Sequence, residues 1–469
     1  MTVAGVMMFG QWLFLAFYVF LNLGYMLLNL MASVSLKRYR DANVLGGLPD
    51  IYSGLEPPVS MLVPAYNEEA TIGASVRSML QLRYAEFEVI VINDGSKDGT
   101  MEALKREFEL VPFPQAYWPR LEAKPIRAFY RSPRYPDLIV VDKENGGKAD
   151  ALNAGINVSR YPLFCGVDAD SILENNSLKL IAEPFLNEPR TIISGGTIRI
   201  ANGCEVSGGF LTKVGLPRNP LALFQVVEYI RAFLFGRMGW SPLNAVLIIS
   251  GAFGLFRKDA VVTAKGYRHN TIGEDMELVV RMHRHYRTHG IPYRITYVPD
   301  PVCYTEAPET FKVLKNQRVR WQRGLCESLA ANISLLFHPR GGAPGWLALP
   351  FMLIFEMVGP LFELLGYALM ILAYALGGMS LQALLVMTLV AVSLGMLLSV
   401  SALLLEEISF HVYEKPGQLL LLLVAVIVEN LGYRQLNSLW RMLGLWKWAT
   451  NAKSSWGTMT RKASWSKPT

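Results

Sequence analysis

The chain has 469 residues, of which 52% are hydrophobic and only 18% charged. That balance excludes a disordered or collagen-like chain and a small disulfide scaffold, and calls for apolar segments beyond an ordinary globular core. The formal net charge of +7 is small for this length; it argues against nucleic acid as a partner and, beside apolar segments, reads as basic charge facing a membrane.

Residues 9–31 are apolar apart from Gln11, Asn22 and Asn29, and are long enough to cross a bilayer. Lys37, Arg38 and Arg40 follow at once. The positive-inside rule then predicts a transmembrane anchor over residues 1–36, with the N-terminus outside and the next domain in the cytoplasm.

That domain spans residues 37–340, where charges, turns and short apolar runs return. Residues 59–63 read as a strand stopped by Pro64, 71–82 as a helix, 87–92 as a strand and 101–108 as a helix. Residues 138–141 and 163–167 read as strands on either side of a helix over 148–156. Strands alternating with helices imply a mostly parallel sheet, whose ligands bind beyond the carboxyl ends of its strands. The polar clusters Tyr66-Asn67-Glu68, Asp94-Gly95-Ser96 and Asp168-Ala169-Asp170 fall at those ends. Residues 110–136, rich in proline and aromatics, read as an insertion loop. Cys165, Cys204, Cys303 and Cys326 form no CxxC pair or zinc spacing and read as buried thiols.

Asp168 and Asp170 can hold a hard divalent cation, Mg²⁺ or Mn²⁺, through oxygen ligands, although a surface turn explains most isolated D-x-D pairs. Gly146-Gly147-Lys148 opens a helix, where backbone N–H groups and the lysine can meet an anion; a plain helix-start turn is the alternative. Glu274 and Asp275 open a helix running to residue 289. Either can serve as a general base or simply cap the helix. Gln317, Arg320 and Trp321 lie at i, i+3 and i+4 on a basic helix over 312–336. They offer an amide, a guanidinium and a stacking surface on one face, and amphipathic interface helices are predicted near 222–240 and 312–336.

Beyond a Gly-Pro break at 341–345, residues 341–448 form a second apolar block. Two spans are predicted, over 346–376 and 381–405, followed by a short interfacial or re-entrant helix around 419–428 and a tryptophan-rich stretch. An even number of spans returns the basic tail, residues 449–469, to the cytoplasm.

The order D-G, G-G-K, D-x-D, G-E-D and Q-x-x-R-W, flanked by spans, resembles the membrane-embedded family 2 glycosyltransferases: the cellulose, hyaluronan, chitin and poly-N-acetylglucosamine synthases. The resemblance covers roughly residues 55–335 and the pattern of spans. It implies an α/β GT-A domain, facing the cytoplasm, with flanking transmembrane and interfacial helices. It also implies roles for single residues. Pro64, Tyr66, Glu68 and Asp94 would hold the nucleoside, Lys148 the diphosphate, and Asp168 and Asp170 the cation and donor. Asp275, after Glu274, would be the base. Ser250 and Gly251 would line the acceptor site. Gln317, Arg320 and Trp321 would bind acceptor and pyrophosphate. Trp456 and Arg461, in a segment like the gating loop of hyaluronan-type synthases, would close over the nucleotide. G-E-D stands where T-E-D is frequent, and Ser250 where some members carry cysteine.

The expected activity is an inverting, processive transfer from a UDP-sugar, UDP-N-acetylglucosamine or UDP-glucose, onto a β-linked polysaccharide that is then moved across the bacterial inner membrane. The alternative is a non-processive transfer onto a membrane glycolipid. With so few spans, a channel would need interface helices, self-association or other secretion subunits.

Overall fold

The computed structural model describes residues 3–45, 54–207, 209–413 and 415–452. Trp456 and Arg461, and with them the predicted gating segment, lie outside the described residues.

Helix α1 (Val3–Leu45) runs unbroken into the chain's first polar stretch. The mixed α/β domain follows in the predicted order: β1 (Val59–Ala65), α2 (Ile72–Leu80), β2 (Phe87–Asn93) and α3 (Thr100–Phe108). After a short β3 (Val111–Pro112) and β4 (Ile126–Arg131) come β5 (Leu138–Lys143), α4 (Lys148–Val158) and β6 (Leu163–Val167). Val59, Met61, Leu62 and Val63 are fully buried, each contributing on the order of 1.5–3 kcal/mol by leaving water. Strand β1 does not stop at Pro64; it pairs through Ala65, opposite Asn93. The expected insertion loop is partly sheet, since β4 pairs antiparallel with β5 and β3 with β4.

The second half of the domain comprises β7 (Ile172–Leu173), α5 (Ser177–Asn187), β8 (Thr191–Ile200) and the hairpin β9 (Glu205–Ser207)–β10 (Phe210–Lys213). Helix α6 (Pro220–Ile230) continues through a π-helical segment, Arg231–Arg237, into α7 (Met238–Trp240). Then come β11 (Phe253–Arg257), α8 (Lys258–Thr263), α9 (Glu274–His289), β12 (Arg294–Thr305) and α10 (Phe311–Ala331). The main sheet has the order β3-β4-β5-β2-β1-β6-β11-β8-β12-β7. Strands β5, β2, β1 and β6 are parallel, while β11 runs antiparallel to both β6 and β8. The sheet is therefore mixed, with its parallel half carrying the predicted polar ends.

After α10, a π-helical segment (Pro344–Ala348), α11 (Leu349–Phe351) and a second π-helical segment (Met352–Met357) lead into α12 (Gly359–Ala375). Helices α13 (Leu381–Phe410), α14 (Pro416–Val428) and α15 (Arg434–Ala449) complete the described chain. Residues in Phe9–Asp41, Leu381–Phe410 and Pro416–Ala449 form helices long and apolar enough to cross a membrane. The predicted span over 346–376 is broken instead: its halves meet at 43°, where Pro360 sits in the first turn of α12 and can donate no backbone hydrogen bond. Leu431 and Gly432 leave helical geometry, with φ of +121° at Gly432. The apolar α14 and the amphipathic α15 meet at that break, and together they make a stretch long enough to cross a membrane, whereas the sequence alone predicts only a short helix around 419–428.

Buried ion pairs tie the sheet domain to these helices. Arg199 on β8 meets Glu406 on α13 at 2.7 Å, and Arg231 meets Glu429 at 2.7 Å. Tyr25 on α1 donates to Glu356, which also pairs with Arg441 on α15 at 2.8 Å.

Candidate active site

One cavity of about 1060 Å³ is lined by every site residue proposed from sequence within the described chain: Pro64, Tyr66 and Glu68, Asp94, Lys148, Asp168 and Asp170, Ser250 and Gly251, Glu274 and Asp275, and Gln317, Arg320 and Trp321. The parallel topology explains the first group, because β1, β2 and β6 all end on the same edge of the sheet. The start of helix α9 supplies Glu274 and Asp275, and α10 supplies Gln317, Arg320 and Trp321.

At the ends of β1 and β2 the two loops lock together. Asn67, at φ +56°, accepts from the Lys97 amide at 2.8 Å, and its own amide donates to Ser96 Oγ at 3.1 Å. Tyr66 beside it stays 45% exposed, its ring available to the cavity.

Asp94 has a second task that the sequence did not disclose. Its carboxylate accepts from the amides of Gly146 at 3.0 Å and Gly147 at 2.7 Å, from Asn145 Nδ2 at 3.1 Å and from Lys143 Nζ at 2.6 Å. The glycine amides expected to meet a diphosphate are thus engaged by a carboxylate of the protein itself. Lys143 is fully buried and also pairs with Asp150 at 2.5 Å. The group fixes the start of α4 and aims Lys148 into the cavity. Lys143 left a trace in the sequence: with Asp142 it forms the charged end of the apolar run of β5.

Lys148 Nζ lies 2.5 Å from Asp168 Oδ1, 3.3 Å from the Gly251 carbonyl and 3.9 Å from Glu274 Oε1. Burial pulls the ammonium's pKa down, but the charges of Asp168, Glu274 and Asp275 outweigh it and hold the pKa above the usual lysine value. Burial acts on Glu274 in the other direction. With Asp275 beside it, and against the pull of Lys148, its pKa is pushed up to about 7. Asp275 Oδ1 accepts from the Met276 amide at 2.8 Å, an ordinary helix-start contact.

Gln317 is 8% exposed, and its Oε1 is buried with no hydrogen-bond partner among the described residues. Trp321 is 43% exposed. Its ring carries the Arg318 guanidinium 4.7 Å from the centroid, and Arg318 is paired with Glu228 on α6. Glu228 also accepts from Tyr433 at 3.0 Å and Asn437 at 3.1 Å. Neither Arg318 nor Glu228 was singled out from sequence. A lone acid within the apolar run of α6 was the available signal.

Asp168 and Asp170 supply hard carboxylate oxygens to one wall of the cavity, as Mg²⁺ or Mn²⁺ requires. Among the described residues no group of three or more His, Cys, Asp or Glu is placed to hold a metal alone. The donor set therefore fits a cation whose remaining ligands are phosphate and water oxygens.

Comparison with known proteins agrees with this arrangement. A family model described as "Glycosyl transferase family 2" matches residues 60–261, and one described as "Glycosyl transferase family group 2" matches residues 164–387. The poly-beta-1,6-N-acetyl-D-glucosamine synthase of Staphylococcus aureus (strain COL) is 31% identical over 277 residues, covering 59% of this chain and 56% of its own length. The Staphylococcus epidermidis protein of the same name is 30% identical over 57% of this chain and 54% of its own. The chain thus matches these curated relatives over little more than half their length. Among solved structures, the mannosyltransferase PcManGT from Pyrobaculum calidifontis, in complex with GDP-Man and Mn²⁺, matches 89% of this chain and 98% of its own at 20% identity, with a TM-score of 0.53. That likeness is one of fold, GT-A-like with a mixed sheet. Between them the two matched models make residues 60–387 similar to family 2 glycosyltransferases, and the motifs of that stretch line one cavity.

Proposed function

We propose that the protein is an inverting, processive transferase that extends a β-linked polysaccharide from a UDP-sugar and helps move the product into the membrane. One observation carries this reading. The cavity that holds Asp168, Asp170 and Asp275 continues past Trp321 to Tyr18, Tyr25, Glu356, Glu363, Ser438 and Arg441, among the apolar helices. A growing chain needs such a continuous passage; a single transfer needs only the site.

In this reading Asp275 takes the proton of the acceptor hydroxyl as that oxygen attacks the anomeric carbon in line. Lys148 meets the negative charge that develops on the departing diphosphate. A divalent cation held by Asp168 and Asp170 would supply Lewis-acid stabilisation of the same charge. Gln317, with its buried acceptor oxygen, and Trp321, with its exposed face, hold the acceptor end, which lowers the entropic cost of attack. Tyr66 and Glu68 flank the nucleoside. The staphylococcal relatives named above support N-acetylglucosamine as the sugar and a β-1,6 bond as the product. The apolar helices support placement in a bacterial inner membrane with the catalytic face in the cytoplasm.

The test is a panel of UDP-sugars assayed for UDP release in membranes containing the protein, with the labelled product sized afterwards. UDP-N-acetylglucosamine consumption with a high-molecular-weight product is the expected result. A labelled product of lipid size would replace polymer extension by transfer onto a glycolipid.

A further inference from the structure

Lys148 and Asp168 form an ion pair in the catalytic cavity, at 2.5 Å, with both side chains partly open to it at 19% and 30%. A cation seated on the D-x-D turn would need the Asp168 oxygens, and one of them is already taken by an ammonium group. Two like charges cannot share that oxygen closely, so one must leave. The surroundings let the lysine leave without being stranded, because the Gly251 carbonyl lies 3.3 Å and Glu274 Oε1 3.9 Å from the same Nζ. Lysine suits such a move, being a compact charge on a flexible stem with three rotatable donors.

We propose that Lys148 is a resident counter-ion of the D-x-D turn which a divalent cation displaces, so that the cation takes Asp168 while the released ammonium turns to the donor's diphosphate. The inference rests on the sugar-nucleotide reading above and specifies how that site is loaded. Before loading, the ammonium offsets part of the charge of Asp168, Asp170, Glu274 and Asp275. The cation alone must then displace it and binds weakly. The diphosphate alone finds the lysine engaged and the carboxylates unscreened. Together each removes the other's obstacle, and this coupling is reciprocal.

The test is a titration of the purified full chain in detergent with Mn²⁺, following the free-ion signal by electron paramagnetic resonance, with and without UDP. Lys148→Met and Lys148→Gln should bind Mn²⁺ in the absence of UDP about tenfold or more tightly than the unaltered protein. UDP should raise Mn²⁺ affinity less in these variants than in the unaltered protein. Equal or weaker Mn²⁺ affinity in both variants overturns the displacement. Should neither variant fold, the unaltered protein still decides: equal Mn²⁺ affinity with and without UDP overturns the proposal, and a rise of about tenfold supports it. Binding of UDP with no Mn²⁺ binding under any condition would sink the divalent-cation reading itself, whatever the outcome of the product assay.

Discussion

Asp275 Oδ2 accepts a hydrogen bond from the Gly251 amide at 3.0 Å, so the acid at the head of α9 is held by the loop that enters β11. Asp275→Asn retains the size of the side chain but can take no proton. Donor binding should persist, while transfer falls by about 10²–10⁴-fold. Equilibrium binding of UDP and the turnover of the same preparation check both halves. Turnover within a few-fold of the unaltered enzyme would remove Asp275 from the proton transfer.

Gly251 itself is a size limit. A Cβ there would lie 3.1 Å from Lys148 Nζ and 3.2 Å from Asp275 Oδ2. Gly251→Ala should therefore displace both groups and depress turnover with little change in melting temperature. Loss of activity that follows loss of fold would assign the residue to packing alone.

Chelation should stop turnover, and Mg²⁺ or Mn²⁺ should restore it. Asp170→Ala should weaken UDP binding when the cation is present and leave it unchanged when the cation is absent. Full turnover in excess chelator would show that the two aspartates serve another end.

Glu274 predicts a pH dependence of stability. Its folded-state pKa, about 7, lies above the usual glutamate value because the group is buried beside Asp275. A raised pKa means that the folded protein binds the proton more tightly than the unfolded chain does. The associated stability is complete below the unfolded value and is lost as pH rises through about 7. Glu274→Gln should flatten thermal stability between pH 5 and 8, which calorimetry in detergent will register. An unchanged slope would show that Glu274 titrates normally.

The buried Lys143 makes a prediction of stability. Lys143→Met leaves Asp94 and Asp150 without their shared cation in a fully buried site. Breaking a buried pair in this way costs roughly 3–5 kcal/mol. Thermal unfolding should show the loss, and the double variant with Asp150→Asn should recover part of it.

The sequence made the parallel half of the domain readable because each strand there is a mostly apolar run, broken only by Ser60 in β1 and Glu88 in β2, and ended by polar or turn residues. Helix α9 was readable from its acidic start at Glu274 and Asp275, and it ends where expected, at His289. The antiparallel strands β11 and β4 were not. β11, Phe253–Arg257, is interrupted by Gly254 and ends in a charge, and β4, Ile126–Arg131, carries two arginines and is only partly buried, so neither composition nor period marks them. The site was legible where chemistry clusters in sequence. It was hidden where one carboxylate serves distant partners. Asp94 reaches Gly146 and Gly147 across 52 and 53 positions, and Glu228 meets Arg318 across 90. No local pattern encodes such separations. The bend before α12 was hidden for the same reason, since Pro360 reads equally well inside a tolerated kink.

At that bend, Gln322 on α10 donates through Nε2 to the carbonyls of Glu356 at 3.1 Å and Met357 at 3.0 Å. It is the residue directly after Trp321. The carbonyls released by the broken span are thus satisfied by the same helix that presents the indole. The position of Trp321 relative to the apolar helices is therefore fixed in part by hydrogen bonds at the bend. In the proposed polymer extension, a sugar unit resting on the indole would stand at a fixed level beside the bundle. Under that reading the indole would act as a fixed eye, through which each addition feeds the product toward the helices that line the same cavity.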